Sequence, residues 1–326
     1  MKPLSTLAQS VRASTTMAID TQFKKMRAEG IDVIGFSVGE PDFPTPERIK
    51  QAGIRAIEAD QTKYTPTPGT LAVRQAVCQR LEEDWGLHYT TDEVVVTGGG
   101  KPVLYTALKA LVNPGDEVIL PAPYWVSYYE LIQMVGGTPV VVETTEENGF
   151  NLTPQQLRQA ITPKTKALIL NSPSNPTGMI YSRQHLEDLA QVCLEADLYV
   201  IADEMYSKLI FDGKEFVSFP TLSEAVKAHT ILVNGASKTY AMTGWRIGFA
   251  AASREITQVM NNYLSHSLSG TCSIAASIQS TTKFRPMIPT RMAMLYPSIN
   301  AHPSGKPGGC DTFIGRACRP HAAAGP

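Results

Sequence analysis

The sequence has no excess of either charge, no long apolar run and no paired cysteines, and each absence narrows what the chain can do. Lys and Arg total 29 against 30 Asp and Glu, for a formal net charge of -1. Nothing in that balance draws the chain to DNA, RNA or an anionic lipid surface, so neither nucleic acid nor membrane is expected as a partner. No apolar stretch reaches the length of a membrane span. The segment up to Asp20 carries Lys2 and Arg12 but lacks the apolar core of a secretory signal. Its want of acids gives only a faint likeness to a transit peptide, and a plain N-terminal arm is the stronger reading. The 5 cysteines, Cys78, Cys193, Cys272, Cys310 and Cys318, are scattered and form no C-x-x-C pair. This argues against a disulfide framework or a zinc ribbon, and points to reduced thiols in a cytoplasmic protein with no metal.

What remains is an ordinary globular composition, 43% hydrophobic and 18% charged over 326 residues. That length suits one large domain with a smaller partner. Between about Asp92 and Gly270, short β-rich runs alternate with amphipathic helical stretches. The runs fall at 94–97, 117–120, 139–143, 167–170, 199–202, 230–233 and 247–251, and the helical patterns at 102–111, 125–135, 154–161 and 183–195. Thr153, Pro154 and Gln156 read as a helix start, with an N-cap, a proline at the first helical position and a capping-box partner. Such alternation predicts an α/β fold with a mostly parallel sheet sandwiched by helices. Ligands in such folds bind beyond the carboxyl ends of the strands. Residues 1–45 read as an arm and loop, and the proline-rich stretch 39–46 is unsuited to a regular element.

Three strand ends carry candidate chemistry. Gly98-Gly99-Gly100-Lys101-Pro102 lies between a strand and a helix, with Pro102 at the predicted first helical position. Free N–H groups and close backbone approach there suit a phosphate, although a ligand-free glycine turn is equally consistent. The spacing is neither G-x-G-x-x-G, since position 103 is Val, nor a Walker loop, so a nucleotide is disfavoured. Asp203 ends the apolar run before it. An acid there needs a cation or donors: a protonated ring nitrogen, a metal, or the N–H groups of a helix it caps. Lys238 follows another apolar run and points to the same cleft, where partial desolvation suits an amine for Schiff-base chemistry. Ser237 and Arg246, on the same stretch, can grip a phosphate.

The stretch Ser237-Lys238-Thr239-Tyr240-Ala241-Met242-Thr243-Gly244-Trp245-Arg246-Ile247-Gly248 resembles the cofactor-lysine signature of the class I and II, fold type I, aminotransferases. The likeness extends through Ser37-Val38-Gly39-Glu40-Pro41-Asp42-Phe43, Lys63-Tyr64-Thr65-Pro66, Pro123-Tyr124-Trp125, Asn171-Ser172-Pro173-Ser174-Asn175-Pro176-Thr177-Gly178 and Ala202-Asp203-Glu204-Met205-Tyr206. It covers roughly residues 1–280, in family order, and is strongest to the bacterial aspartate aminotransferases. The resemblance implies pyridoxal 5'-phosphate as cofactor, and a ping-pong exchange between an L-amino acid, aspartate first, and 2-oxoglutarate. An aromatic amino acid or prephenate is the alternative substrate.

It also implies roles. Lys238 forms the imine with the cofactor and moves the substrate proton, and Asp203 pairs with the ring nitrogen. Asn175 and Tyr206 bond the ring hydroxyl, and Trp125 stacks on the ring face. Gly99, Gly100, Lys101, Ser237 and Arg246 hold the phosphate. Gly39, with Trp125 and Asn175, meets the substrate. Tyr64 reaches the cofactor of a neighbouring subunit, which implies a homodimer.

On the same resemblance, residues 1–45 are an arm with a small-domain segment, and 46–280 the large cofactor-binding domain. The stretch 281–326 reads as an aberrant, poorly ordered tail, truncated or frame-shifted, that leaves the small domain incomplete. Family members carry there an Arg in an R-x-S context that grips the substrate carboxylate. Arg285, Arg291, Arg316 and Arg319 have no Ser two residues on. The expectation is cofactor capture with weak or absent transamination, down to a non-catalytic remnant at the extreme.

Overall fold

A computed structural model describes residues 2–35 and 38–277. Ser37, the reading of 281–326 and its arginines lie outside the described residues. The chain runs α1 (Thr6–Ser10), α2 (Thr15–Ala28), α3 (Glu47–Glu58), α4 (Leu71–Trp85), β1 (Val94–Thr97), α5 (Gly100–Leu111), β2 (Glu117–Ala122), α6 (Ser127–Met134), β3 (Thr138–Glu143) and α7 (Pro154–Ala160). It continues through β4 (Thr165–Asn171), α8 (Arg183–Glu195), β5 (Tyr199–Asp203), α9 (Glu224–Ala228), β6 (Thr230–Gly235), α10 (Ala236–Thr239), β7 (Gly248–Ala251), α11 (Arg254–Ser265) and α12 (Ser273–Ser277).

The strands form one sheet in the order β1-β7-β6-β5-β4-β2-β3. Pairing is parallel from β3 across to β6, while β7 lies antiparallel to both β6 and β1. Side chains alternate cleanly between the two faces, as period-2 strands buried on both sides require. Val118, Leu120, Ala167, Ile169, Ile201, Ile231 and Val233 point to the face covered by α5, α6 and α11. Their neighbours Ile119, Leu168, Leu170, Val200 and Ala202 face α7 and α8. Val94, Val96, Leu232 and Ala251 pack with α3 and α4. Each Val, Leu or Ile among them contributes about 1.5–3 kcal/mol by leaving water.

Local signals set the helix ends. Thr70 accepts from the Val73 N–H at the start of α4, and Gly86 closes that helix at a φ of 68°, a conformation natural to glycine. Thr153 and Gln156 form the expected capping box around Pro154. Ser182 caps α8 through the His185 N–H.

Two readings are corrected. The first 45 residues are not merely arm and loop, because they hold α1 and α2. Helix α2 buries only Asp20 and leaves Met17 and Ile19 exposed, so it has no inward apolar stripe to betray it. Its support is local: Ser14 caps it, Lys24 bonds Asp20 at 2.7 Å, and Lys25 and Arg27 occupy the last turn. The second correction is Pro102. Helix α5 starts at Gly100, so Pro102 is its third residue rather than its first. A proline is tolerated anywhere in the first turn, where N–H groups lack helical partners in any case, and so it did not mark the boundary.

Candidate active site

The sheet brings the ends of β1, β4, β5 and β6 to one edge. Thr97 pairs with Gly248, which pairs with Gly235, while Asp203 pairs with both Val233 and Asn171. The glycine turn, the acid and the lysine stretch, far apart in sequence, therefore open onto the same place.

The turn after β1 is a backbone cradle. Gly99 adopts a φ of 110°, and a Cβ there would strike the Arg246 guanidinium. Gly248, opposite, leaves no room for a Cβ against the backbone of Gly99 and Gly100. Both positions therefore require glycine, for space at each and for conformation at Gly99. The first N–H groups of α5 open here beside Arg246, which donates to the Thr243 carbonyl at 2.9 Å. Lys101 lies over the Trp125 ring at 5.0 Å. Partial burial of its amine, and then the Arg246 charge, lower its pKa. Neither Lys101, Arg246 nor Lys238 forms a salt bridge among the described residues. Two cations, Lys101 and Arg246, beside a glycine-lined helix start make a site for an anion.

Asp203 is 5% exposed at the end of β5. Burial pushes its carboxyl up to about 6, against two hydrogen bonds that favour the charged form. One comes from the Tyr128 hydroxyl at 2.7 Å, the other from the Met205 N–H at 3.1 Å. The capping reading survives only as this local turn, since no helix begins there. Tyr128 was not singled out by sequence. It sits 2% exposed in α6, and only its position one turn beyond Trp125 hints that both face one way. The two rings meet edge-on, with centroids 5.4 Å apart.

Asn171 is a second residue that sequence reasoning quoted without a role. Its amide donates to the Asp203 carbonyl at 2.8 Å and its oxygen accepts from the Asn175 N–H at 2.7 Å. Asn175 in turn donates to the Tyr206 hydroxyl at 3.2 Å. Trp125, Asn175 and Tyr206 are half-buried around the cleft, not core residues.

Lys238 follows β6 in α10, with Ser237 buried beside it. Its amine donates to the Gly39 carbonyl and lies 5.9 Å above the Tyr206 ring. Burial lowers its pKa, Glu40 opposes that effect, and Arg246 adds to it. A depressed lysine carries more of the neutral, nucleophilic amine near pH 7. Glu40 itself is held by the Thr243 hydroxyl at 2.6 Å. Beside it a cavity of about 580 Å³ runs between Glu40, Phe43, Thr45, Trp245 and Arg246. Tyr64 makes none of these contacts, and its side chain is fully exposed.

The residues present fit the cofactor that the sequence motifs imply. The cradle has space only for backbone and an incoming anion, the lysine amine is partly desolvated, and a buried carboxylate faces no cation among the described residues. Among those residues no cluster of metal-ligating side chains occurs, and no helix is long and apolar enough to cross a membrane.

A family model, aminotransferase class I and II, matches residues 31–286. An aspartate aminotransferase of Bacillus sp. (strain YM-2) is 45% identical over 312 residues, spanning 93% of this chain and 80% of its own. One from Geobacillus stearothermophilus is 48% identical over 266 residues, 82% of this chain and 68% of its own. The solved aspartate aminotransferase of Thermus thermophilus with maleate superposes with a TM-score of 0.82 at 41% identity, covering 86% of this chain and 73% of that one.

Proposed function

The chain belongs to the class I and II aminotransferases, whose cofactor is pyridoxal 5'-phosphate, and from this premise we propose that it moves the amino group of aspartate to 2-oxoglutarate in a ping-pong cycle. The observation that carries the site assignment is the meeting of Lys238, Asp203 and the Gly99–Arg246 cradle at one edge of the sheet. The aspartate reading draws on the names of its relatives, and on maleate, a four-carbon dicarboxylate, in the Thermus protein.

Bound at this edge, pyridoxal phosphate supplies an aldehyde that exchanges with the substrate amine and a ring that takes up the electron pair left on the substrate α-carbon. Gly99, Gly100, Lys101, Ser237 and Arg246 hold the phosphate through backbone N–H groups, a hydroxyl and cations. Asp203 keeps a proton on the ring nitrogen, while Tyr128 steadies the acid. Asn175 and Tyr206 bond the ring hydroxyl, and Trp125 covers the ring face. Lys238 Nζ would hold the cofactor through its aldehyde and would carry the proton of the substrate α-carbon. Gly39 seats the substrate carboxylate. In domain terms, 46–280 is the cofactor-binding unit, with 1–45 as arm and small-domain segment.

A second reading, cofactor capture with weak turnover, is favoured by one observation: no arginine in 281–326 has a serine two residues on. One experiment separates the two. The 326-residue chain, loaded with pyridoxal phosphate, is mixed with aspartate, glutamate or an aromatic amino acid, and the visible band and oxo-acid product are followed. Loss of the band with aspartate and multiple turnovers on adding 2-oxoglutarate are expected of the aminotransferase. A single conversion without turnover supports the second reading. A spectrum that no amino acid alters would remove both.

We further infer a cytoplasmic homodimer in which Tyr64 enters the partner's site. Its side chain, 103% exposed, is free to do so, and Ile54 and Ile57 of α3 leave further apolar surface uncovered. Equilibrium sedimentation of the loaded protein is expected to give twice the chain mass, and Tyr64→Ala to weaken cofactor affinity about tenfold. A monomer mass at micromolar concentration would sink this arrangement.

A further inference from the structure

Next to Asp203, Glu204 is also buried, 2% exposed, yet its carboxylate bonds none of the residues assigned to the cofactor and forms no salt bridge among the described residues. An ionisable group in such a place is costly unless it organises something. Both of its oxygens are engaged, and by one short segment: Oε2 accepts from the Ser218 hydroxyl at 2.7 Å and Oε1 from the Phe219 N–H at 2.8 Å. Its own N–H donates to the Val233 carbonyl at 2.9 Å, so its backbone is held on β6. The carboxylate thus closes the loop that leaves β5 at Glu204 and returns at Ser218.

Everything that loop shows the site lies at its first turn. The Met205 methyl fills the space where a Cβ of Gly100 would sit and lies close to that of Gly235, so it lines the cradle. Tyr206 meets Asn175, and the Ser207 hydroxyl accepts from Asn234 at 3.0 Å, just before the lysine stretch. Ser218 and Phe219, at the far end of the loop, tie it back to Glu204 beside that turn.

The geometry points to Glu204 as a positioning residue of the cofactor site: by gripping Ser218 and Phe219 it fixes the turn that presents Asp203, Met205 and Tyr206. The inference rests on reading that site as the pyridoxal-phosphate pocket. Burial, with the Asp203 charge adding to it, pushes the Glu204 carboxyl up to about 8 against the Ser218 and Phe219 bonds. Tyr89, across the cluster, feels the same group. The raised pKa favours the uncharged carboxyl, which Glu204→Gln mimics in size and in hydrogen-bonding capacity.

The test uses the full chain with Glu204→Gln, Glu204→Ala and Ser218→Ala. Amide hydrogen exchange is measured without cofactor, and pyridoxal phosphate affinity by titration. Glu204→Ala is expected to speed exchange at 205–219 and to weaken the cofactor, each by about tenfold, the scale of losing buried hydrogen bonds to a carboxyl. The β2 and β4 amides should keep wild-type rates. Glu204→Gln, which keeps an acceptor for Phe219 and a partner for Ser218, stays within about threefold of wild type on both. Should Glu204→Ala not fold, Ser218→Ala carries the same local prediction at smaller size. Unchanged exchange at 205–219 in both alanine variants overturns the inference, as does Glu204→Gln behaving like Glu204→Ala. If wild type takes up no cofactor while the local exchange effect persists, the clamp stands and the cofactor reading falls.

Discussion

Lys238→Ala is expected to reduce borohydride fixation of pyridoxal phosphate from near one group per chain to background, with little change in fold. Among the described residues no other lysine shares its setting. It alone combines a depressed pKa with a place at the junction of β6, the Gly39 carbonyl and the Tyr206 ring. Lys101, the other depressed lysine of the cleft, lies over Trp125 at the cradle and should stay unmodified. Peptide mapping after reduction reads the result directly. Label at position 101, or undiminished label in the variant, would refute the assignment of the amine. The alanine costs little stability, because the wild-type amine is only half-buried and bonded to one carbonyl.

The second large effect comes in two parts of opposite sign. Asp203→Asn is expected to stabilise the cofactor-free protein while weakening cofactor binding by about 10- to 100-fold. The sign follows from the raised pKa. The folded carboxyl titrates near 6, and an unfolded one near 3.8. The native state therefore holds its proton more tightly, so ionisation works against folding. That destabilisation is absent below about pH 4, grows as pH rises, and is complete above about pH 6, where it is on the order of 2–3 kcal/mol. Asparagine escapes it, so the variant's advantage in urea denaturation should appear at pH 7.5 and vanish at pH 3.5. Cofactor binding runs the other way, since it needs the anion. Wild-type affinity should fall as pH drops through about 6, and Tyr128→Phe, which removes the bond favouring the anion, should move that fall to higher pH. A structural acid would give loss of stability in Asp203→Asn; that outcome would end its role as partner to a ring nitrogen. A residue retained against its own cost to folding is the mark of a group kept for function.

The sheet was legible because buried parallel strands are continuous apolar runs with punctuation, and β1 and α8 were predicted to the residue. Strands β2, β4, β5 and β6 each extend slightly past their predicted ends, into polar or proline positions such as Asn171, Asp203 and Pro121 that backbone pairing carries but hydrophobicity does not mark. Helices α3 and α4 were not read. The stripe of α4 is weak, with Leu71 at its start exposed, whereas α3 carries a clear apolar face of Ile49, Ala52 and Ala56 that the sequence reading passed over. In the site, residues with motif neighbours were found and residues with tertiary partners were missed. Tyr128 and Asn171 matter only because α6 and β4 bring them to Asp203, a proximity no local spacing encodes.

Strand β7 runs against its neighbours, and that reversal decides how the pocket is assembled. Because the chain turns straight back after β6 instead of crossing over a helix, the amine of Lys238 and the guanidinium of Arg246 belong to one short excursion, docked on the glycine turn by Gly248 itself. The two ends of the ligand's grip therefore share one support, the seat of β7 between β1 and β6. A change that loosened this strand would disturb the amine and the guanidinium together.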